Sequence, residues 1–119
     1  MTIRKARRNS AARAFLRPAM KRPNVTVLTG AHVTRVLIDG GRATGVEYRR
    51  RGALHRAAAR AEVILAGGAI NSPQLLMLSG IGPAAHLAEL GIPVVADSPE
   101  VGQNLNDHQG LNYTWRMNV

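Results

Sequence analysis

Apolar positions along the chain fall in short bursts separated by glycine, proline and charge. That is the pattern of brief strands and helices rather than long ones. Asn9 or Ser10 can cap a helix over 11–16, with Phe15 and Leu16 as its apolar side and Pro18 as its limit, and Pro23 marks the next boundary. Val25-Thr26-Val27-Leu28 is β-branched and predicts a strand. His32 to Ile38 predicts a second, and Asp39-Gly40-Gly41 signals a tight turn into a third over 43–50. In that third strand Val46 and Tyr48 share one face, while Glu47 and Arg49 share the other. Arg51-Gly52 turns into a weaker strand over 54–59, completing an antiparallel meander.

The stretch from Val63 to Gly82, VILAGGAINSPQLLMLSGIG, organises the rest. Val63 to Ala66 reads as a strand returning to a parallel sheet. Ser72 suits a helix N-cap, Pro73 the first helical position and Gly80 the residue just past the end, which predicts a helix over 73–79. A second helix over 83–90 is opened by Pro83 and closed by Gly91. Val94-Val95 is a short extended piece, and the chain is loop-like from Ser98 onward. Glycines between a strand and a helix let another group approach the backbone, and the helix start offers free N–H groups, which together suit a nucleotide diphosphate. The spacing is not G-x-G-x-x-G, because Ala69, Ile70 and Asn71 follow Gly68. On local chemistry alone, an ordinary strand-to-helix turn is the commoner use of such a sequence.

Composition narrows the choices. The 119 residues make one ordinary domain or a piece of a larger one. Without cysteine there is no disulfide framework and no thiolate metal site, which fits a reducing, cytoplasmic setting. His32, His55, His86 and His108 are too scattered for a helical metal pair, so no metal is expected. The net charge of +9 is concentrated: residues 1–22 carry eight basic side chains and no acid, and the remainder is nearly balanced. Such an arm suits a nucleic acid or an anionic surface. With aromatics at only 3% and no nucleic-acid motif, a solvated basic segment is the simpler account. The longest uncharged stretch, Val63 to Ala88, is broken by glycine, proline and amides, and no membrane span is expected.

Resemblance adds a specific reading. Gly68-Ala69-x-x-Ser72-Pro73-x-Leu75-Leu76-x-x-Ser79-Gly80-Ile81-Gly82 resembles the second signature of the glucose–methanol–choline oxidoreductases, FAD enzymes that oxidise alcohols. The segments Ser10 to Ala19, Asn24 to Val33, Gly91 to Val95 and Val101 to His108 are similar to the same family, nearest to its choline- and aliphatic-alcohol-oxidising members. The resemblance implies an α/β fold: part of an FAD-binding, Rossmann-like three-layer domain with an antiparallel β-meander insertion, incomplete at both ends. Within it, 1–22 is a basic arm with a short helix, 23–60 the meander, 61–97 the strand–turn–helix core and 98–119 a loop toward a substrate domain.

What the resemblance implies for the site is carried residue by residue. Val33 falls where the family sets a valine backbone against the FAD adenine. Ala66, Gly67 and Gly68 fall where the chain passes closest to the dinucleotide, and Asn104, Asp107 and His108 in a loop near the flavin. The family's catalytic pair lies past the second signature and has no match up to Val119, so no catalytic residue is assigned. Gln109 and Ala6 stand where proline and glycine are commoner. The implied partners are FAD and an alcohol substrate in the full-length enzyme, and a complementing chain belongs to the first of two rival readings. The rival readings are a non-catalytic module joining a partner flavoprotein and a small basic nucleic-acid binder. A Ser79–Asp107–His108 triad is disfavoured, since the G-x-S-x-G elbow is absent.

Overall fold

In a computed structural model, residues 3–4 and 6–115 are described. The chain divides into two units, 1–31 and 32–119. In the first, β1 (Ile3–Arg4) and β2 (Arg7–Arg8) form a small antiparallel hairpin, Ile3 opposite Arg8. Ala6 turns the hairpin at φ +55°, a conformation that suits the glycine expected there better than alanine. The Ser10 carbonyl accepts the Ala14 N–H at 2.8 Å and its hydroxyl accepts the Arg13 N–H at 3.4 Å, so Ser10 opens the helix as expected. The helix does not stop at Pro18. A π-helical turn (Ala12–Leu16) leads into α1 (Arg17–Ala19), and the wider turn before the proline relieves the clash of its ring with the preceding turn. Residues 25–28 form no strand, contrary to their β-branched sequence. No described segment offers them a ladder partner.

The second unit is built on the meander: β3 (His32–Asp39), β4 (Arg42–Arg50) and β5 (Ala53–Ala58), in that spatial order. Asp39 and Arg42 flank a two-residue turn whose residues both have positive φ, the hairpin geometry that matches strand twist. The β3–β4 register slips twice, skipping Thr34 on one strand and Thr44 on the other. Each skipped threonine donates its hydroxyl to the facing strand: Thr34 to the Glu47 carbonyl at 3.1 Å, Thr44 to the Leu37 carbonyl at 3.2 Å. The bulges therefore keep their polar groups paired.

Val63–Ala66 is the main departure from expectation in this unit. It is not a strand, because no described segment lies beside it to form a ladder. α2 (Gly68–Leu78) follows, starting well before the predicted boundary. Pro73 sits inside it, and the carbonyl that loses its partner belongs to Ala69, an exposed residue that water can serve. After α2, Gly80 has φ +84° and lies so close to Pro93 and Val95 that a Cβ would stand 2.5 Å from the Pro93 carbonyl oxygen. β6 (Ile81–Gly82) then pairs in parallel with β7 (Ala96–Asp97), two residues beyond the expected Val94-Val95. Between them α3 (Ala84–Glu89) places Leu87 at 0% exposure. Asp97 accepts the Ala84 N–H at 3.0 Å at the start of α3. At its end the Gly91 N–H reaches the Ala88 carbonyl and the Ile92 N–H the Leu87 carbonyl, a Schellman stop.

Candidate functional site

The start of α2 is shaped by a bond that the sequence conceals. The Ser72 hydroxyl reaches back and accepts the Gly67 N–H at 3.0 Å, so Ser72 supports the entry turn from inside the helix instead of capping it. Gly67 is the capping residue, and no side chain caps the helix. The first N–H groups of α2 are therefore left for another acceptor. Gly68 has φ +85°, and a Cβ there would meet nothing within 4 Å. A backbone in that conformation with open space above it can receive a group at close range.

Beside this turn lies a cleft of about 490 Å³, within the range of small-molecule sites. Val33, Val46, Leu65, Leu75 and Leu78 give it apolar walls, while Asn71, Ser72 and Gln74 bring polar groups from α2. It gathers three expected residues that are remote in sequence: Val33 from β3, and Ala66 and Gly67 from the turn. Gly68 follows at once as the first residue of α2. A second cleft, of about 690 Å³, lies between α2 and residues 102–106, and Asn104 lines it. Gln74 lines both clefts, so Val33 and Asn104 face separate cavities that meet along α2. Asn104 holds φ +58° and donates its amide to Glu100. Asp107 and His108 line neither cleft, and the Asp107 carboxylate accepts the His108 N–H at 2.7 Å.

Ser79 is not a nucleophile in this arrangement. It is buried, its hydroxyl donates to the Leu75 carbonyl at 2.6 Å and accepts the Val36 N–H at 2.8 Å. The charged cluster of this unit lies elsewhere, on the sheet face opposite Val46 and Tyr48. Glu47 accepts from Arg35 at 3.0 Å and 3.1 Å and from Arg56 at 3.2 Å. The Arg35 hydrogen bond holds its carboxyl below the usual glutamate range. Burial pushes the other way, and Arg56 adds to the lowering. On the other face the Tyr48 and His55 rings stack with centroids 5.3 Å apart. Sequence reasoning missed Asn71 and Gln74, whose signal was an i, i+3 polar spacing on a helix that starts at Gly68, and it read Ser72 only as a cap. Among the described residues, no group of His, Asp and Glu is placed to hold a metal ion, and no helix is long and apolar enough to cross a membrane.

Comparison with known proteins gives this geometry its context. A family model described as GMC oxidoreductase matches residues 1–110. The mitochondrial choline dehydrogenase of Homo sapiens is 60% identical over 108 residues, 91% of this chain and 18% of that protein. Pyridoxine 4-oxidase from Mesorbium loti has a similar structure, with a TM-score of 0.74 and 39% identity over 82% of this chain and 19% of that one. An FAD-dependent oxidoreductase from Chaetomium thermophilum follows at 0.71 and 38% identity, over 75% and 16%. The chain spans about a fifth of the length of the curated relatives it matches. Its fold is accordingly a mixed α/β part of a larger architecture, with the antiparallel meander as its sheet.

Proposed function

The chain belongs to the GMC oxidoreductase family, and from that premise we propose that it builds the adenine-side wall of an FAD site in an enzyme oxidising the CH–OH group of a donor. The observation that carries this reading is the cleft shared by Val33, Ala66 and Gly67 beside the uncapped start of α2. The donor set suits the group. Free N–H groups and the open backbone at Gly68 match an anionic diphosphate, and the valine and leucine walls match a flat ring.

When bound, the flavin supplies the hydride acceptor for alcohol oxidation. The chain's own residues bind and orient. Val33 offers backbone groups to the adenine side, residues 66–68 leave room for the dinucleotide, and Asn104, Asp107 and His108 form the loop toward the flavin. None of the residues 1–119 matches the family's catalytic pair, so none of them is given a proton-handling role. The donor we propose is choline or another primary alcohol, oxidised to the aldehyde, in keeping with the choline dehydrogenase similarity. We place the protein in the cytoplasm on its lack of cysteine, although the human relative is mitochondrial by name.

A second reading is favoured by a specific observation. Among the described residues, the segment 63–66 has no ladder partner and Ile64 is 77% exposed, so a complementing flavoprotein chain has an apolar segment to cover. The test is a visible absorption spectrum of the purified chain, followed by FAD titration read by flavin fluorescence. Saturable, stoichiometric FAD supports the half-site. Absence of binding at high FAD concentration overturns it and leaves the partner complex as the place of function.

A further inference from the structure

The two edges of the meander are treated differently. At the β3 edge the register is broken by bulges, and the Ser79 hydroxyl occupies the Val36 N–H. At the other edge β5 is regular. Gly45 to Arg50 pair with Ala58 to Ala53 without a slip, no proline interrupts the strand, and all six of its residues are exposed. No described strand lies beyond it. Its outer backbone is a row of donors and acceptors lacking a ladder partner, without the bulge, proline or cover that usually blunts an edge.

Charge identifies the kind of strand that fits. Cross-strand register places Arg35, Glu47 and Arg56 in one row across the sheet, with Arg49 and Leu54 in the next row of the same face. Glu47 is the only acid in β4 and β5 and is fully committed, one oxygen to Arg35 and the other shared by Arg35 and Arg56. Arg56 donates to Glu47 through Nε alone, so its terminal N–H groups remain available on a side chain 66% exposed. Leu54, 55% exposed, stands two residues away on that face. Facing strands gain from opposite charges and matched apolar pairs and lose from like charges. A second copy of this chain fits poorly, because β5 against β5 brings one acid-free cationic strand to another.

We propose that the free edge of β5 takes up an extended acidic segment of another polypeptide as an added strand. A carboxylate of that segment faces Arg56, and an apolar residue two positions away lies beside Leu54. The backbone ladder supplies affinity, and the carboxylate and the apolar side chain supply selectivity. The inference is independent of the cofactor reading, since it uses the edge and face of the sheet away from the Val33 cleft.

The test uses the whole chain and a short fluorescent peptide in which glutamate and valine stand two positions apart with threonine between them, so that both fall on one strand face, with binding followed by anisotropy and by hydrogen exchange. The glutamate peptide is expected to saturate below about 1 mM, the weak limit of a useful contact. It should slow exchange of amides within 53–58, and a peptide with lysine in place of glutamate should not saturate. Arg56→Gln should weaken binding about fivefold and Arg56→Lys by less. The peptide comparison is made on the unaltered chain, so it stands even if a variant folds poorly. Equal binding of the lysine peptide, protection confined to other segments, tighter binding of a single-stranded oligonucleotide, or closure of the edge by self-association would each overturn the proposal.

Discussion

The Ser79 hydroxyl accepts the Val36 N–H at 2.8 Å while donating to the Leu75 carbonyl at 2.6 Å, so one side chain ends α2 and closes the edge of β3. Val36 is 7% exposed, and water cannot readily replace the bond. Ser79→Ala orphans a buried donor, at a cost of about 1–3 kcal/mol. The Val36 amide should then exchange roughly 5- to 150-fold faster in hydrogen-exchange NMR, with β4 affected less. Unchanged exchange at Val36 would show that the bond contributes nothing.

Glu47 makes the sheet acid-sensitive. Its folded pKa is lowered, chiefly by the Arg35 hydrogen bond, so the folded chain binds fewer protons at this site than the unfolded one in acid. The stabilisation is present above the unfolded glutamate value of about 4.3 and is lost as pH falls through the lower folded value. Glu47→Gln should therefore lower stability at neutral pH, where Arg35 and Arg56 lose their partner, and flatten the decline below about pH 4. Exchange rates in β3–β5 across an acid series read both effects. An acid limb identical in the two proteins would remove Glu47 as its source.

The meander was legible because its signals are local: alternation over 43–50 and the glycine turn at 40–41 fix strands and hairpin without outside help. Residues 25–28 and 63–66 have strand propensity too, but a strand needs a neighbour, and sequence does not show that the described residues provide none. The start of α2 was misplaced because Ser72-Pro73 is a sound local cap signal. What overrides it is the reach of Ser72 back to Gly67, a three-dimensional fact. The Arg35–Glu47–Arg56 row depends on the bulge at Thr34, which shifts the register invisibly to the sequence. In the candidate site, Val33 and Ala66-Gly67 were named only through resemblance, and the cleft that unites them exists only once β3 and α2 pack.

Gly80 is predicted to be the least replaceable residue of the 63–82 stretch. Its φ of +84° and the Pro93 carbonyl oxygen, 2.5 Å from where a Cβ would stand, both exclude a side chain. Gly80→Ala should destabilise the β6–β7 pairing by about 2 kcal/mol or more, combining backbone strain with displacement of residues 93–95. Gly91→Ala is the informative contrast, since a Cβ there meets nothing within 4 Å and only the φ penalty applies. Equal losses in the two variants would mean that the close packing at Gly80 has no energetic consequence.

The chain by itself is predicted to be marginally stable. Among the described residues only Val36 and Leu87 are buried hydrophobics, and α2 buries none of its residues. Ile64, Ile70 and Leu78 are 77%, 71% and 50% exposed, and an open apolar cavity of about 260 Å³ is lined by Ile38, Val63, Leu65 and Ile81, among others. Apolar surface left in water forfeits about 25 cal/mol per Å², the main term available to offset chain entropy. Thermal unfolding followed by circular dichroism should be broad, and sedimentation should show association that grows with concentration. FAD in excess should sharpen the transition and raise its midpoint if the Val33 cleft binds it, because a ligand held only by the folded state shifts the equilibrium by mass action. A sharp, cooperative transition from a monomer without ligand would refute the prediction. It would mean that the meander and the Leu87 cluster suffice as a core and that the exposed residues of α2 are tolerated at little cost.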